Sequence, residues 1–250
     1  MKGFFITATG TDVGKTVVTA ALTCVLRQQG FSVGVAKPAA SGAVRQADGS
    51  LRSEDASLLM AAAGLDEGWR DTVNPYCLEA PLAPATAAEL ENISINPALL
   101  LERIDQLAAV HDLVLVEGAG GLTTPLCEDY LICDLAKALQ LPLLIVAQAT
   151  LGSVNTALLT AAYAKSQGLQ TAALLLNRWP AQPGILEEST LAYMKRLTGL
   201  PVWSLLPDIP GLTMTDASLG ELAQLAPAAF DLDALLAYGN LERRVDFEQE

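Results

Sequence analysis

Positive charge is scarce in this chain. Its 250 residues hold 15 Lys and Arg against 28 Asp and Glu, for a formal net charge of −13. A surface of that sign repels nucleic-acid phosphates and anionic lipid headgroups, so neither is expected as a partner. Histidine occurs once, at His111, and the four cysteines, Cys24, Cys77, Cys127 and Cys133, show no C-x-x-C spacing. That supply is too small for a Cys/His zinc site, and a disulfide framework is not expected at this length. No apolar run is long and unbroken enough to span a bilayer. Phe4–Ile6 leads straight into a polar turn, so no signal peptide is expected. The expectation is a cytoplasmic protein with reduced thiols. Charged residues make up only 17% of the chain and apolar ones 51%, which argues against disorder and for one large core.

Of the six lysines, two, Lys15 and Lys37, fall in loops marked by glycine or proline. Lys15 ends the most informative stretch. Phe4-Phe5-Ile6 runs apolar, Thr7 to Asp12 turns, and Val13-Gly14-Lys15-Thr16 leads into a helix-forming segment from Val17 to Gln29. Strand, glycine-bearing loop and helix in that order make a P-loop. Backbone N–H groups and the helix N-terminus face phosphate oxygens, the lysine reaches the β- and γ-phosphates, and the Thr hydroxyl can ligate Mg²⁺. The usual pattern places glycine five residues before Gly14, where this chain has Thr9. The loop is therefore a variant that starts at Ala8, with Gly10 as its nearest glycine.

Beyond Gly30, Ser32–Ala36 reads as a second strand that ends at Lys37-Pro38. The proline keeps the chain extended there and leaves Lys37 at a strand's C-terminal edge, where open α/β sheets bind ligands. A helix is expected from Ser53 to Ala63. Residues 66–96 read as an ordered excursion with a short helix near Thr86–Glu91, and Pro97–Val110 as an amphipathic helix. Asp112–Glu117 is an apolar strand ending in a carboxylate, followed by Gly118-Ala119-Gly120-Gly121. An acid at that point, beside a P-loop strand, is placed to face Mg²⁺. Strands at Leu143–Ala147, Thr171–Leu176 and Val202–Leu206 alternate with helices at Ser153–Gln167 and Ile185–Leu197, and helical runs at Leu219–Leu225 and Leu232–Leu236 follow. The pattern predicts an α/β fold: a single P-loop NTPase-type domain over residues 1–240, with a parallel sheet covered by helices on both faces. A charged tail, 241–250, closes the chain.

Six motifs stand in a specific order: Gly-Thr-Asp-Val-Gly-Lys-Thr at 10–16, Lys-Pro-Ala-Ala-Ser-Gly at 37–42, Ser-Glu-Asp-Ala at 53–56, Asn-Pro-Tyr at 74–76, Val-Glu-Gly-Ala-Gly-Gly at 116–121, and Leu-Gly-Ser-Val-Asn-Thr-Ala-Leu-Leu-Thr at 151–160. Over roughly residues 4–210 they resemble the dethiobiotin synthetase family of the biotin pathway. The resemblance implies an ATP-dependent cyclo-ligase that joins 7,8-diaminononanoate and CO₂ with Mg²⁺ present. One amine captures CO₂ as a carbamate, a carbamate oxygen takes the γ-phosphoryl group, and the second amine closes the ureido ring.

The resemblance also implies roles. Lys15 holds phosphates, and Lys37 stabilises carbamate and γ-phosphate charge. Thr11 and Ser41 sit near the carbamate and phosphate, while Thr16, Asp55 and Glu117 hold Mg²⁺. Asp12, Val13, Gly14, Thr16 and Val17 line the phosphate site, and Gly118, Ala119, Gly120 and Gly121 present backbone to nucleotide and substrate. Family members are homodimers, so Leu151, Gly152, Ser153 and Asn155 would reach the partner's site and take the substrate's carboxylate end. Base recognition falls to Asn177, which can read an adenine edge, with Arg178 and Pro207, Asp208 and Ile209. The family has an acid where Arg178 stands. No Asn-Lys-x-Asp guanine motif is present. The alternative is a nucleotide-switched ATPase of the ParA/MinD type. Such proteins carry an extra lysine early in the loop and a basic or membrane-binding face, neither of which this sequence offers.

Overall fold

Six apolar segments pair into one parallel sheet in the computed structural model, which describes residues 1–242. They are β1 (Gly3–Ala8), β2 (Val33–Ala36), β3 (Leu113–Glu117), β4 (Leu143–Gln148), β5 (Thr171–Asn177) and β6 (Val202–Leu206). Their spatial order is β6-β5-β4-β1-β3-β2. Each is a near-continuous buried run, as expected of strands covered on both faces. Register places Ile6 opposite Glu117 on one side of β1 and opposite Leu144 on the other.

The pleat sorts side chains between two cores. Leu144, Val146 and Leu175 join the larger one, while Ile145, Ala147, Leu174 and Leu176 face a smaller one with Ala157 and Met194. The helices that supply these faces are α1 (Lys15–Gln28), α2 (Glu54–Ala63), α3 (Arg70–Val73), α4 (Pro84–Leu90), α5 (Pro97–Val110), α6 (Ile132–Leu139), α7 (Ser153–Ser166), α8 (Ile185–Thr198), α9 (Leu222–Ala229) and α10 (Leu232–Gly239). Helices α7 and α8 lie over the smaller core, and α1, α2 and α5 over the larger one. Strands β2 and β3 build out from one side of β1 and β4 to β6 from the other. Such a reversal opens a crevice at the strands' C-terminal ends.

Several expectations shift. Helix α1 starts at Lys15 rather than Val17, because Gly14 takes a left-handed φ of 89° and turns the chain into the helix at once. Helix α6 was not anticipated. It is short, and its start is fixed by the Asp134 carboxylate accepting from the Leu131 N–H at 2.9 Å. The excursion after residue 65 holds more structure than expected: a 3₁₀ turn at Glu67–Trp69, α3, a two-residue strand at Tyr76–Cys77 paired with Ala39–Ala40, and α4. Helix α4 begins at Pro84, where the missing N–H costs nothing. The helix expected from Leu219 starts instead at Leu222, since Ser218–Leu219 pairs antiparallel with Leu212–Thr213. Short hairpins also join Val44–Arg45 to Leu51–Arg52 and Pro125–Cys127 to Tyr130–Leu131. Leu241 is buried against the larger core. From Arg243 onward the expected charged tail lies outside the described residues. Among the described residues no helix is long and apolar enough to cross a membrane.

Candidate active site

Two lysines, one opening α1 and the other following β2, meet at one cleft. Residues 9–13 leave β1 as an irregular loop, anchored by the Thr9 N–H on the Val146 carbonyl at 3.0 Å. The Lys15 ammonium lies back over this loop, 3.4 Å from the Gly10 carbonyl oxygen. Gly14 is required where it stands. Its φ is left-handed, and a Cβ there would overlap the Asn177 amide. Asn177 ends β5 almost fully buried, and its amide nitrogen donates to the Val13 carbonyl at 3.0 Å. It thus ties the far strand to the phosphate loop through its amide nitrogen.

Lys37 follows β2 directly and is 4% exposed. Its backbone is fixed by the Lys37 N–H on the Val73 carbonyl at 2.8 Å and by the Asn74 amide donating to the Lys37 carbonyl at 2.7 Å. Its ammonium contacts Glu117 Oε1 at 2.6 Å and Asp55 Oδ2 at 2.7 Å. Glu117 is fully buried at the end of β3 and also accepts from the Thr16 hydroxyl at 2.7 Å. Its second oxygen, Oε2, is buried without a hydrogen-bond partner among the described residues. Asp55 sits in the first turn of α2, whose Ser53 side chain caps the helix by accepting from the Ala56 N–H at 3.2 Å.

The electrostatics follow from this packing. Burial alone lowers a lysine's pKa, but the Glu117 and Asp55 carboxylates overcome it and hold Lys37 well above the ordinary lysine range. Lys15 has no such close acid. Burial first, then the Lys37 charge, push it down. Burial raises Asp55, but Lys37 outweighs it and the carboxyl settles below its usual range. At neutral pH Lys37 therefore stays charged beside an ionised Asp55.

The cleft has a volume of about 480 Å³ and is lined by Thr11, Asp12, Gly14, Lys15, Thr16, Val17, Lys37, Ser41, Asp55, Ala119, Gly120 and Arg178 among the expected residues. Ala39, Ala40, Glu54 and Met214 line it as well and were not anticipated. Val13, Glu117, Gly118, Gly121 and Asn177 stand beside or behind this lining. Gly118 has no room for a side chain, since a Cβ would press on Ile132 and Phe5. Pro207, Asp208 and Ile209 follow β6 outside the lining, with Asp208 3.9 Å from the Arg178 guanidinium. Leu151, Gly152, Ser153 and Asn155 also lie outside it, at the end of β4. Ser153 is occupied by its own loop, accepting from the Thr150 N–H at 3.1 Å, and Leu151 is 91% exposed. Asn74, which sets the Lys37 backbone, had been visible only as part of an Asn-Pro-Tyr motif without a role. His111 sits between α5 and β3 with its Nδ1 2.9 Å from the Leu107 carbonyl, away from the cleft.

A parallel sheet with a lysine-bearing phosphate loop on its central strand, and a strand-end carboxylate beside it, defines a P-loop nucleotide-binding protein. Residues 2–215 match the family described as an AAA domain. The ATP-dependent dethiobiotin synthetase BioD of Bacillus subtilis (strain 168) is 38% identical over 213 residues, 85% of this chain and 90% of that protein. The enzyme of the same name from Bacillus thuringiensis (strain Al Hakam) is 40% identical over 211 residues, 84% of this chain and 85% of its own. The chain belongs to the ATP-dependent dethiobiotin synthetase family. Its fold is shared more widely. The MinC:MinD cell division protein complex of Aquifex aeolicus superimposes with a TM-score of 0.59 at 14% identity, covering 100% of this chain and 99% of that one. A ParA family ATPase from Chlorobium tepidum gives 0.54 at 19%, covering 96% and 99%.

Proposed function

We propose that the chain closes the ureido ring of dethiobiotin from 7,8-diaminononanoate, CO₂ and ATP. The observation that carries this reading is the meeting of Lys15 and Lys37 at one cleft. One lysine belongs to the phosphate loop and the other stands across it with two carboxylates. A phosphate-binding site alone needs only the first. A second buried ammonium suits a reaction in which an anionic acceptor must approach an anionic phosphoryl group.

The residues would act by position and charge. Lys15 and the loop N–H groups hold the triphosphate tail. A carbamate formed on one amine of the diamine lies near Lys37, with Thr11 and Ser41 also in the cleft lining. Its oxygen attacks the γ-phosphorus as the bond to the β–γ bridging oxygen breaks and ADP leaves. The second amine then attacks the carbamoyl carbon, phosphate departs with the anhydride oxygen, and the amine loses its proton to solvent. Gly120 and Gly121 let backbone approach the substrate closely.

Thr16, Asp55 and Glu117 fit a Mg²⁺ ion. Their donors are hard oxygens, and the buried, unpartnered Oε2 of Glu117 is an acceptor left over for a cation. Bound there, the ion would neutralise charge on the transferred phosphoryl group. No group of three or more His, Cys, Asp or Glu gathers for a metal among the described residues, so these two carboxylates with Thr16 are the donor set on offer.

The reading extends to a homodimer. Leu151 is 91% exposed just before α7, and on the helix Leu159, 62% exposed, stands one turn from Asn155 on the same face. That surface is suited to a second copy whose substrate the Leu151–Asn155 segment would reach. The four cysteines stand free, which supports a reducing compartment such as the cytoplasm. The test is isotopic. Carbon-13 bicarbonate supplied with Mg·ATP and the diamine should appear in the ureido carbon of the product. Product without the label, or none, would overturn the reading.

A further inference from the structure

The oxygens suited to a metal ion already hold a cation. Lys37 donates its ammonium to Glu117 Oε1 at 2.6 Å and to Asp55 Oδ2 at 2.7 Å, and the Thr16 hydroxyl turns onto the same Glu117 Oε1 at 2.7 Å. Every side chain of the proposed Mg²⁺ set therefore faces the ammonium or an atom that holds it. An ion and an ammonium on shared acceptors repel each other, and in a buried site that repulsion is little screened. The two cannot hold these oxygens together.

What can give way is the lysine side chain alone. Its backbone is pinned on both sides, by the Lys37 N–H on the Val73 carbonyl and by the Asn74 amide on the Lys37 carbonyl. Beyond Cα it is a flexible four-carbon stem with a compact charge at its tip. Lys37 lines the cleft together with Thr11, Lys15 and Ser41, so a turn about that stem carries the ammonium from the acids into the open volume. Two features let the exchange begin before the ammonium has left. Glu117 Oε2 is unpartnered while Oε1 is engaged, and the Asp55 side chain is 37% exposed at the cleft. Held on two acids, Lys37 has its charge engaged within the protein, and an anionic acceptor in the cleft gains little from it.

We infer that Lys37 is a placeholder for the metal: its ammonium fills the cation position until Mg²⁺ binds, then leaves the acids for the cleft. Its charge becomes available to the acceptor only once the ion is bound. The inference rests on the ring-closing reading for what the freed ammonium meets, and only on the contacts of Lys37 with Glu117 and Asp55 for the exchange itself.

Mn²⁺ is the probe, titrated without nucleotide and with the free ion read by electron paramagnetic resonance. Lys37→Met, uncharged and unbranched, should bind it about tenfold or more tightly than the native chain, as removal of a like charge from the site predicts. Lys15→Met takes a charge from the same cleft whose ammonium lies on the Gly10 carbonyl rather than on an acid, and its gain should be clearly smaller. No gain in Lys37→Met, or equal gains in both variants, overturns the inference. Because Lys37→Met also strands the two acids, the native chain is read as well. With ADP bound, acetylation of Lys37 by acetic anhydride, followed by peptide mass, should be slow with a chelator and severalfold faster with Mg²⁺. An unchanged rate overturns the inference. Neither measurement contains the diamine. Diamine-dependent phosphate release is read separately, and its absence would sink the ring-closing reading while leaving metal binding and acetylation to judge Lys37.

Discussion

Glu117 concentrates the chemistry of the site in one side chain. It is fully buried, accepts from both Thr16 and Lys37 on one oxygen, and keeps the other oxygen unpartnered. Removing Lys37 would strand that charge. Lys37→Ala should therefore lose turnover by at least about 100-fold, and unfolding without nucleotide should show it less stable by about 3–5 kcal/mol. Added Mg²⁺ should recover part of that stability, because a cation can neutralise the same carboxylates. Near-native turnover would remove Lys37 from the mechanism, and a variant as stable as the native chain would mean that the buried pair is not what neutralises Glu117. In Glu117→Gln, nucleotide affinity should lose its dependence on Mg²⁺. An undiminished dependence, titrated calorimetrically, would refute the ligand role.

Among elements, the phosphate loop is held from outside itself. Gly14 and Asn177 share one space, the glycine's missing Cβ making room for the amide that bonds Val13. Gly14→Ala should cost more than about 1 kcal/mol, since both the positive φ and the overlap oppose it. Asn177→Ala should cost about 1 kcal/mol for the lost hydrogen bond. In the double variant the overlap is gone, so urea unfolding should show a total below the sum of the two. Strict additivity would mean that the strand and the loop are not coupled. Glu67 links other elements, bonding Arg70 of α3 and Arg52 of the Leu51–Arg52 strand. Hydrogen bonds from Arg70 first, and then Arg52, pull its pKa down to about 2. A depressed carboxyl stabilises the fold above its unfolded value, about 4.5, and that contribution fades as pH falls through about 2. Glu67→Gln should cost about 1 kcal/mol or less at pH 7 because the side chain is 61% exposed. The difference should vanish near pH 2; one that persisted there would contradict the assignment.

Local patterns made the long strands, the helices at Pro97–Val110 and Ile185–Thr198, and the Gly-Lys-Thr loop legible in the sequence, because period and end signals lie within a few residues. The hairpins and α6 were not legible, being short and held by contacts such as Asp134 on the Leu131 N–H rather than by a repeat. For the site, each of Lys37, Asp55 and Glu117 could be singled out by its motif. The resemblance implied that both acids meet at Mg²⁺, but the direct pairing of Lys37 with the two carboxylates could not be read, since it depends on β3 inserting between β1 and β2. Asn177 shows the same limit: its motif suggested a ligand contact, and only the register of β5 shows it bonded to the loop. At the scale of the assembly, sedimentation should give twice the mass of one chain at micromolar concentration. Leu159→Asp should shift this to a monomer with much reduced turnover. A native monomer with full turnover would argue against a site shared between copies.

The most direct measurement of the central claim is phosphate release from Mg·ATP with bicarbonate, with and without 7,8-diaminononanoate, alongside dethiobiotin by mass. Release that requires the diamine and equals the ureido product one for one is what two lysines across a phosphate loop predict. Release that ignores the diamine and yields no product would contradict the account and favour a nucleotide-switched ATPase.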